Sequence, residues 1–139
     1  YRDTTLTEQW DPRKGNSYNH FMMGQIEEWF YQSLAGINAD PEKPAFKHFF
    51  IQPEVVGDMT FAKAEYHSVY GKIVSSWEKK DGKFILEVEI PVNTSATIKL
   101  PVAQNSEIRI DKKVVRTGFD GKKPTLEFGS GKYTIECQL

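Results

Sequence analysis

The chain has 139 residues, with 18 lysines and arginines against 19 acidic residues and a formal net charge of −1. That length holds one ordinary domain, or one domain and part of another, and buries a core without disulfides or metal staples. With no long basic run and no apolar stretch near the ~20 residues that cross a bilayer as a helix, neither nucleic acid nor a membrane is an expected partner. The single cysteine, Cys137, excludes an intrachain disulfide and a cysteine metal cluster, and reads as a small apolar strand residue.

Residues 1–16 are polar, carry Asp11-Pro12 and Gly15-Asn16, and show no apolar period, which predicts a loop or extended segment. The sequence opens on Tyr1 within this polar stretch, and further chain is expected upstream. Residues 17–35 carry the one strong helical signal, with Met22, Ile26, Trp29, Phe30, Ser33 and Leu34 at three- and four-residue steps. Ser17 is the expected N-cap, Gly36 the left-handed residue past the C-terminus, and Ile37 its apolar contact. Phe21 and Met23 widen the apolar surface beyond one stripe, so the helix is expected to need neighbours on more than one side. Self-association through this exposed helix is the expected result when those neighbours are missing.

After Asp40-Pro41 and Pro44 the pattern changes to short strands with turn signals, which puts a domain boundary near residue 40. Strands are predicted over 46–52, 59–68, 71–78, 83–90, 95–100, 107–111, 125–128 and 132–139. Alternation is clearest in Phe84, Leu86, Val88, Ile90 and in Tyr133, Ile135, Cys137, Leu139, the signature of a sheet with one dry and one wet face. Asp81-Gly82 signals a type I′ hairpin, and Pro91 and Pro101 end the strands before them, so antiparallel pairing is expected.

Two segments could carry chemistry. Glu8 and Trp10 lie close together in the polar segment, a pairing that suits a sugar: the indole covers a pyranose C–H face, and the carboxylate activates water or accepts hydroxyl hydrogen bonds. A surface glutamate beside a packed tryptophan is the competing reading. Asn16-Ser17-Tyr18-Asn19-His20 makes a donor-rich start to the helix, where His20 could equally be a capping residue. His48 and His67 sit alone in strand patterns without metal-ligand spacing, so no metal site is expected. Glu27-Glu28 point apart on a helix and read as a polar edge. Asn93-Thr94-Ser95 matches the glycosylation triplet. Trp77, Tyr66, Tyr70 and Phe61 are expected to pack in the core or between strands, with a carbohydrate platform as the alternative.

Together these residues resemble the C-terminal end of the α-L-rhamnosidases of glycoside hydrolase family 78, over nearly the whole chain. The resemblance runs through Thr4-Thr5 to Glu8 and Trp10, then Asn19-His20 opening a helix that ends near Ala35-Gly36-Ile37. It continues through Met59-Thr60-Phe61-Ala62-Lys63-Ala64, Tyr70-Gly71-Lys72-Ile73 and the terminal Gly129-Ser130-Gly131-Lys132-Tyr133. It implies a mainly β chain: a C-terminal antiparallel β-sandwich over 40–139, preceded by 1–39, the end of a catalytic (α/α) barrel whose last element is the one helix.

The resemblance also implies roles. Glu8 matches the general base of an inverting hydrolysis, His20 a residue that contacts the bound rhamnose, and Trp10 an aromatic of the same pocket. Thr7 stands where many members carry tryptophan, and the connection from Trp10 to Asn16 is short; both change the rim of the site. The implied substrate is a rhamnose-containing glycoside or polysaccharide, cleaved by water without a cofactor. An inverting site needs two carboxyl groups roughly 6.5–9.5 Å apart, so the general acid is expected upstream in the barrel of the same parent chain, and the chain alone is expected to be inert. A non-catalytic carbohydrate-binding or structural sandwich is the alternative function.

Overall fold

The computed structural model describes residues 7–11, 13–103, 106–115, 118–120 and 123–138. Thr4 and Thr5, the side chain of Met23, and Leu139 of the sequence reading therefore lie outside the described residues. The chain divides into two compact units, Tyr1–Phe30 and Tyr31–Leu139.

Among the described residues the second unit has eleven strands: β1 (Ile37–Ala39), β2 (His48–Ile51), β3 (Phe61–Ser68), β4 (Gly71–Lys80), β5 (Lys83–Ile90), β6 (Ser95–Lys99), β7 (Ile108–Ile110), β8 (Lys113–Val115), β9 (Gly118–Asp120), β10 (Lys123–Phe128) and β11 (Gly131–Gln138). One sheet runs β1-β2-β6-β10-β9 and the other β3-β4-β5-β11-β7-β8. The fold is the mainly β sandwich that the sequence implied. Alternation builds its core: Phe84, Leu86, Val88 and Ile90 of β5 and Ile135 and Cys137 of β11 are buried, as are Phe49, Ile51, Ala96 and Ile98 of the other sheet. The Trp77 and Phe84 rings stack with centroids 5.7 Å apart. Burial pushes the Cys137 thiol up to about 12, so it stays an inert apolar filler at neutral pH.

The Asp81-Gly82 turn has positive φ at both residues, 51° and 73°, between the paired Lys80 and Lys83, as a type I′ hairpin requires. Asp111 and Lys112 adopt the same left-handed pair, at 47° and 71°, between Ile110 and Lys113. That second hairpin lacks a glycine, so β8 carried no turn signal. One pairing departs from the antiparallel expectation: β2 and β6 run parallel, from His48 opposite Ser95 to Ile51 opposite Ile98. The chain leaves β2, builds β3 to β5 in the other sheet, and returns; side-chain alternation is the same for either strand direction and cannot report it.

The helical stretch also differs from the single helix expected over 17–35. It comprises a 3-10 turn (Phe21–Gly24), α1 (Gln25–Trp29) and a π turn (Phe30–Leu34). The N-cap is His20, at φ −86° and ψ 88°, rather than Ser17. The Ser17 carbonyl accepts the Glu8 backbone N–H at 3.1 Å, so the chain there is turned toward the preceding segment instead of opening a helix.

Within the second unit the last helical carbonyls all find partners. Asn38 Nδ2 donates to Gln32 O at 2.9 Å and Glu54 N–H to Ser33 O at 2.9 Å. Trp77 Nε1 donates to Leu34 O at 2.7 Å, Ser75 Oγ to Ala35 O at 2.6 Å and Gln52 N–H to Gly36 O at 2.9 Å. A helix end leaves four carbonyls without intrahelical partners, and here side chains and backbone of the sandwich close them. Ser75 is fully buried in an otherwise apolar strand face because its hydroxyl has this task. Gly36 takes φ +77°, and a β-carbon there would collide with the Gln52 carbonyl carbon and the Pro53 nitrogen. Only glycine permits both the left-handed turn and the approach of β2.

Candidate active site

The residues singled out for chemistry all lie in the first unit. Glu8 and Trp10 are exposed, Trp10 completely, and His20 is half-buried at the start of the 3-10 turn with no side-chain cap hydrogen bond. The Glu8–Ser17 backbone bond closes residues 8–17 into a loop, so Glu8 stands at its neck, across from the chain that leads three residues later to His20. Thr7 Oγ1 donates to Gln9 O at 3.0 Å inside the same segment.

Asp11 braces the loop. Its carboxylate takes the Arg13 guanidinium in a fork, Nε at 2.9 Å and Nη2 at 3.1 Å, and accepts the Arg13 backbone N–H at 3.2 Å. The Asp11 carbonyl accepts Lys14 N–H at 3.0 Å, closing a turn directly after Trp10. The Arg13 side chain, and then its backbone N–H, hold the Asp11 carboxyl below its ordinary value, while Asp11 raises the Arg13 guanidinium. The sequence reading placed Asp11-Pro12 in a loop or extended segment and missed this fork. An Asp two residues before an Arg at a turn signal was the clue.

Beyond the loop, Tyr18, Phe21, Met22, Ile26, Trp29 and Phe30 are exposed, and the Trp29 and Phe30 rings meet at 5.6 Å. Glu27 and Glu28 are exposed as well. The second unit holds a polar network that the sequence did not indicate. His48, read as an isolated strand histidine, is buried, with Nδ1 2.7 Å from Asp40 Oδ2 and Nε2 2.9 Å from Thr97 Oγ1. The Thr97 hydroxyl donates onward to Glu127 Oε1 at 2.6 Å. The Glu42 backbone N–H, opposed by burial and reinforced by His48, holds the Asp40 carboxyl below its ordinary value. The network ties β2, β6 and β10 at the parallel pair. Thr97 lies 49 residues from His48, which is why periodicity could not find it. Among the described residues no group of three His, Cys, Asp or Glu side chains gathers as a metal site. Trp77, only 1% exposed, is core and no platform, whereas Phe61 is 68% exposed.

Family comparison now adds to this geometry. Residues 36–115 match the family model of the bacterial alpha-L-rhamnosidase C-terminal domain, and residues 2–34 match that of the bacterial alpha-L-rhamnosidase 6 hairpin glycosidase domain. The chain belongs to the bacterial α-L-rhamnosidase family. An α-L-rhamnosidase of Formosa agariphila is 34% identical over 124 residues, 83% of this chain and 13% of that protein. One from Streptomyces avermitilis is 30% identical over 139 residues, 94% of this chain and 13% of that protein. The chain thus spans about an eighth of the length of these curated relatives. Among solved structures, the Streptomyces avermitilis α-L-rhamnosidase complexed with L-rhamnose superimposes with a TM-score of 0.75 at 28% identity, over 96% of this chain and 14% of that one. The α-L-rhamnosidase of Dictyoglumus thermophilum reaches a TM-score of 0.83 over 99% of this chain and 16% of that one; at 24% identity it speaks for the fold alone.

Proposed function

We propose that this chain is the C-terminal portion of an inverting α-L-rhamnosidase acting on a rhamnose-containing glycoside or polysaccharide. Glu8 is its general base, and His20 and Trp10 contact the terminal sugar. Residues 1–39 close the catalytic (α/α) barrel and 40–139 form the C-terminal β-sandwich. The general acid and most of the pocket come from the remainder of a longer protein, so the 139-residue chain alone does not hydrolyse substrate.

The observation that carries the reading is the Glu8–Ser17 backbone bond, which draws the carboxylate-bearing segment and the approach to His20 into one loop. An exposed carboxylate at the neck of that loop can accept a proton from water, and a fully exposed indole can stack on a sugar face once the rest of the pocket surrounds it. Inversion follows from single displacement: water, deprotonated by Glu8, attacks the anomeric carbon while a separate acid protonates the leaving oxygen on the opposite face.

The test uses the full-length parent. Glu8→Gln keeps shape and removes basicity, so kcat is expected to fall by about 10²–10⁴ with a smaller change in KM, and proton NMR of the unaltered enzyme shows the β-anomer of rhamnose first. A near-normal kcat, or the α-anomer first, overturns the role of Glu8.

A further inference from the structure

The wet face of the six-stranded sheet pairs most of its charges. Lys72 lies 4.0 Å from Glu65 and 3.6 Å from Glu89, and Lys132 lies 3.4 Å from Glu89, a ladder across β3, β4, β5 and β11. One and two rows along the strands the pattern breaks. The side chains of Glu78 of β4 and Glu87 of β5 make no hydrogen bond or ion pair with any described residue. They line an open cavity of about 340 Å³ together with Phe61, Lys63, Ser76 and Ile85. A second cavity of about 330 Å³ shares Glu87 and adds Glu89, Lys132 and Thr134. The two form one groove across four strands, about 14 Å from β3 to β11 at the usual strand spacing. At its β3 end stands Phe61, a large exposed ring on a face it shares with the partly buried Val74 and Ile85.

We propose that this groove is an accessory glycan-binding site, separate from the Glu8 loop, that takes an uncharged oligosaccharide. The lining selects the ligand class. Glu65 neutralises Lys63 at 3.4 Å and Glu89 neutralises Lys132 at 3.4 Å, so the remaining Glu78 and Glu87 disfavour an anion, and the apolar Phe61 and Ile85 favour a ligand with a C–H face over a bare cation. A neutral polyhydroxylated chain fits this lining: its hydroxyls donate to the Glu78 and Glu87 carboxylates and accept from the ammonium and hydroxyl groups, while a sugar C–H face covers Phe61 and Ile85. Such a groove needs only weak intrinsic affinity, because a polysaccharide held on the sandwich raises the local concentration of its ends at a catalytic site on the same protein. The proposal does not depend on the role given to Glu8.

The test is an amide NMR titration of the 139-residue chain with methyl α-L-rhamnoside, a neutral rhamnose oligosaccharide and, as a cationic control, n-butylammonium chloride. The oligosaccharide is expected to shift the amides of Ser76, Glu87 and Thr134 saturably, and more tightly than the monosaccharide. Phe61→Ala and Glu87→Gln, both at exposed positions that leave the core intact, each weaken binding roughly five- to tenfold. Saturable shifts confined to residues 8–20, no saturable shift at all, tighter binding of butylammonium, or affinity unchanged in both variants would overturn the groove. A negative result here leaves the Glu8→Gln experiment untouched, and failure of that experiment leaves the groove standing.

Discussion

In Tyr1–Phe30 the large apolar side chains Trp10, Phe21, Met22, Ile26 and Trp29 are exposed, whereas in Tyr31–Leu139 Phe49, Trp77 and Phe84 are almost completely dry. The exposed region is the richer in aromatics, with six in 30 residues against twelve in 109, so aromatic content does not account for burial; what differs is whether each apolar face has a partner. Each large side chain left wet forgoes roughly 1.5–3 kcal/mol of transfer free energy. The first unit therefore carries several side chains whose burial has yet to be used, and exposed apolar surface of that kind, as where the Trp29 and Phe30 rings meet, marks an interaction surface. The second unit buries most of its large apolar residues in its own core, Phe61, Val69 and Val92 being exposed, and uses several polar groups to close the helix end.

The sharpest way to break the contrast is at Gly36. Gly36→Ala forces a β-carbon into the Gln52–Pro53 backbone at a left-handed φ, and urea unfolding of the second unit is expected to show a loss of more than about 3 kcal/mol. A loss below 1 kcal/mol would mean that β2 can shift and that the closed helix end is not rigid. Next comes Trp77→Phe, which keeps an aromatic ring in the core and leaves the Leu34 carbonyl without its donor. The expected cost is about 1–3 kcal/mol, read from the same unfolding curves; an unchanged midpoint would show that water replaces the indole N–H. The smallest effect belongs to the first unit. Trp29→Gln is expected to change stability by less than about 0.5 kcal/mol while raising the monomer fraction in light scattering. A marked destabilisation would show that Trp29 is packed in solution, and the contrast between the regions would fall.

The sandwich was legible in the sequence because its signals are local. Phe84 to Ile90 alternate over one continuous strand, and Asp81-Gly82 names its own turn type. The carbonyl-closing roles of Ser75 and Trp77 were not legible, since a serine in a dry strand face and a tryptophan in a core pattern declare no partner 40 residues away. The helix start was misread for a related reason: Ser17 is a good cap by type, yet its carbonyl is taken by Glu8, nine residues upstream. At the candidate site, residue type and position drew out Glu8, Trp10 and His20, their roles came from a resemblance carried by short motifs, and the Asp11–Arg13 fork needed coordinates. His48 escaped because strand alternation marks a buried position without saying whether its neighbours are apolar or ionisable.

The closed helix end also sets an order in time. Ser75 follows Ala35 by 40 residues, and Trp77 follows Leu34 by 43. At about 5–20 residues per second, a ribosome takes roughly 2–9 s to add those residues. For that interval the Leu34 and Ala35 carbonyls of the nascent chain lack the donors that close them, and the last turn frays. The strand that completes the helix is made seconds after it, so the C-terminal turn becomes fixed only when the sandwich folds.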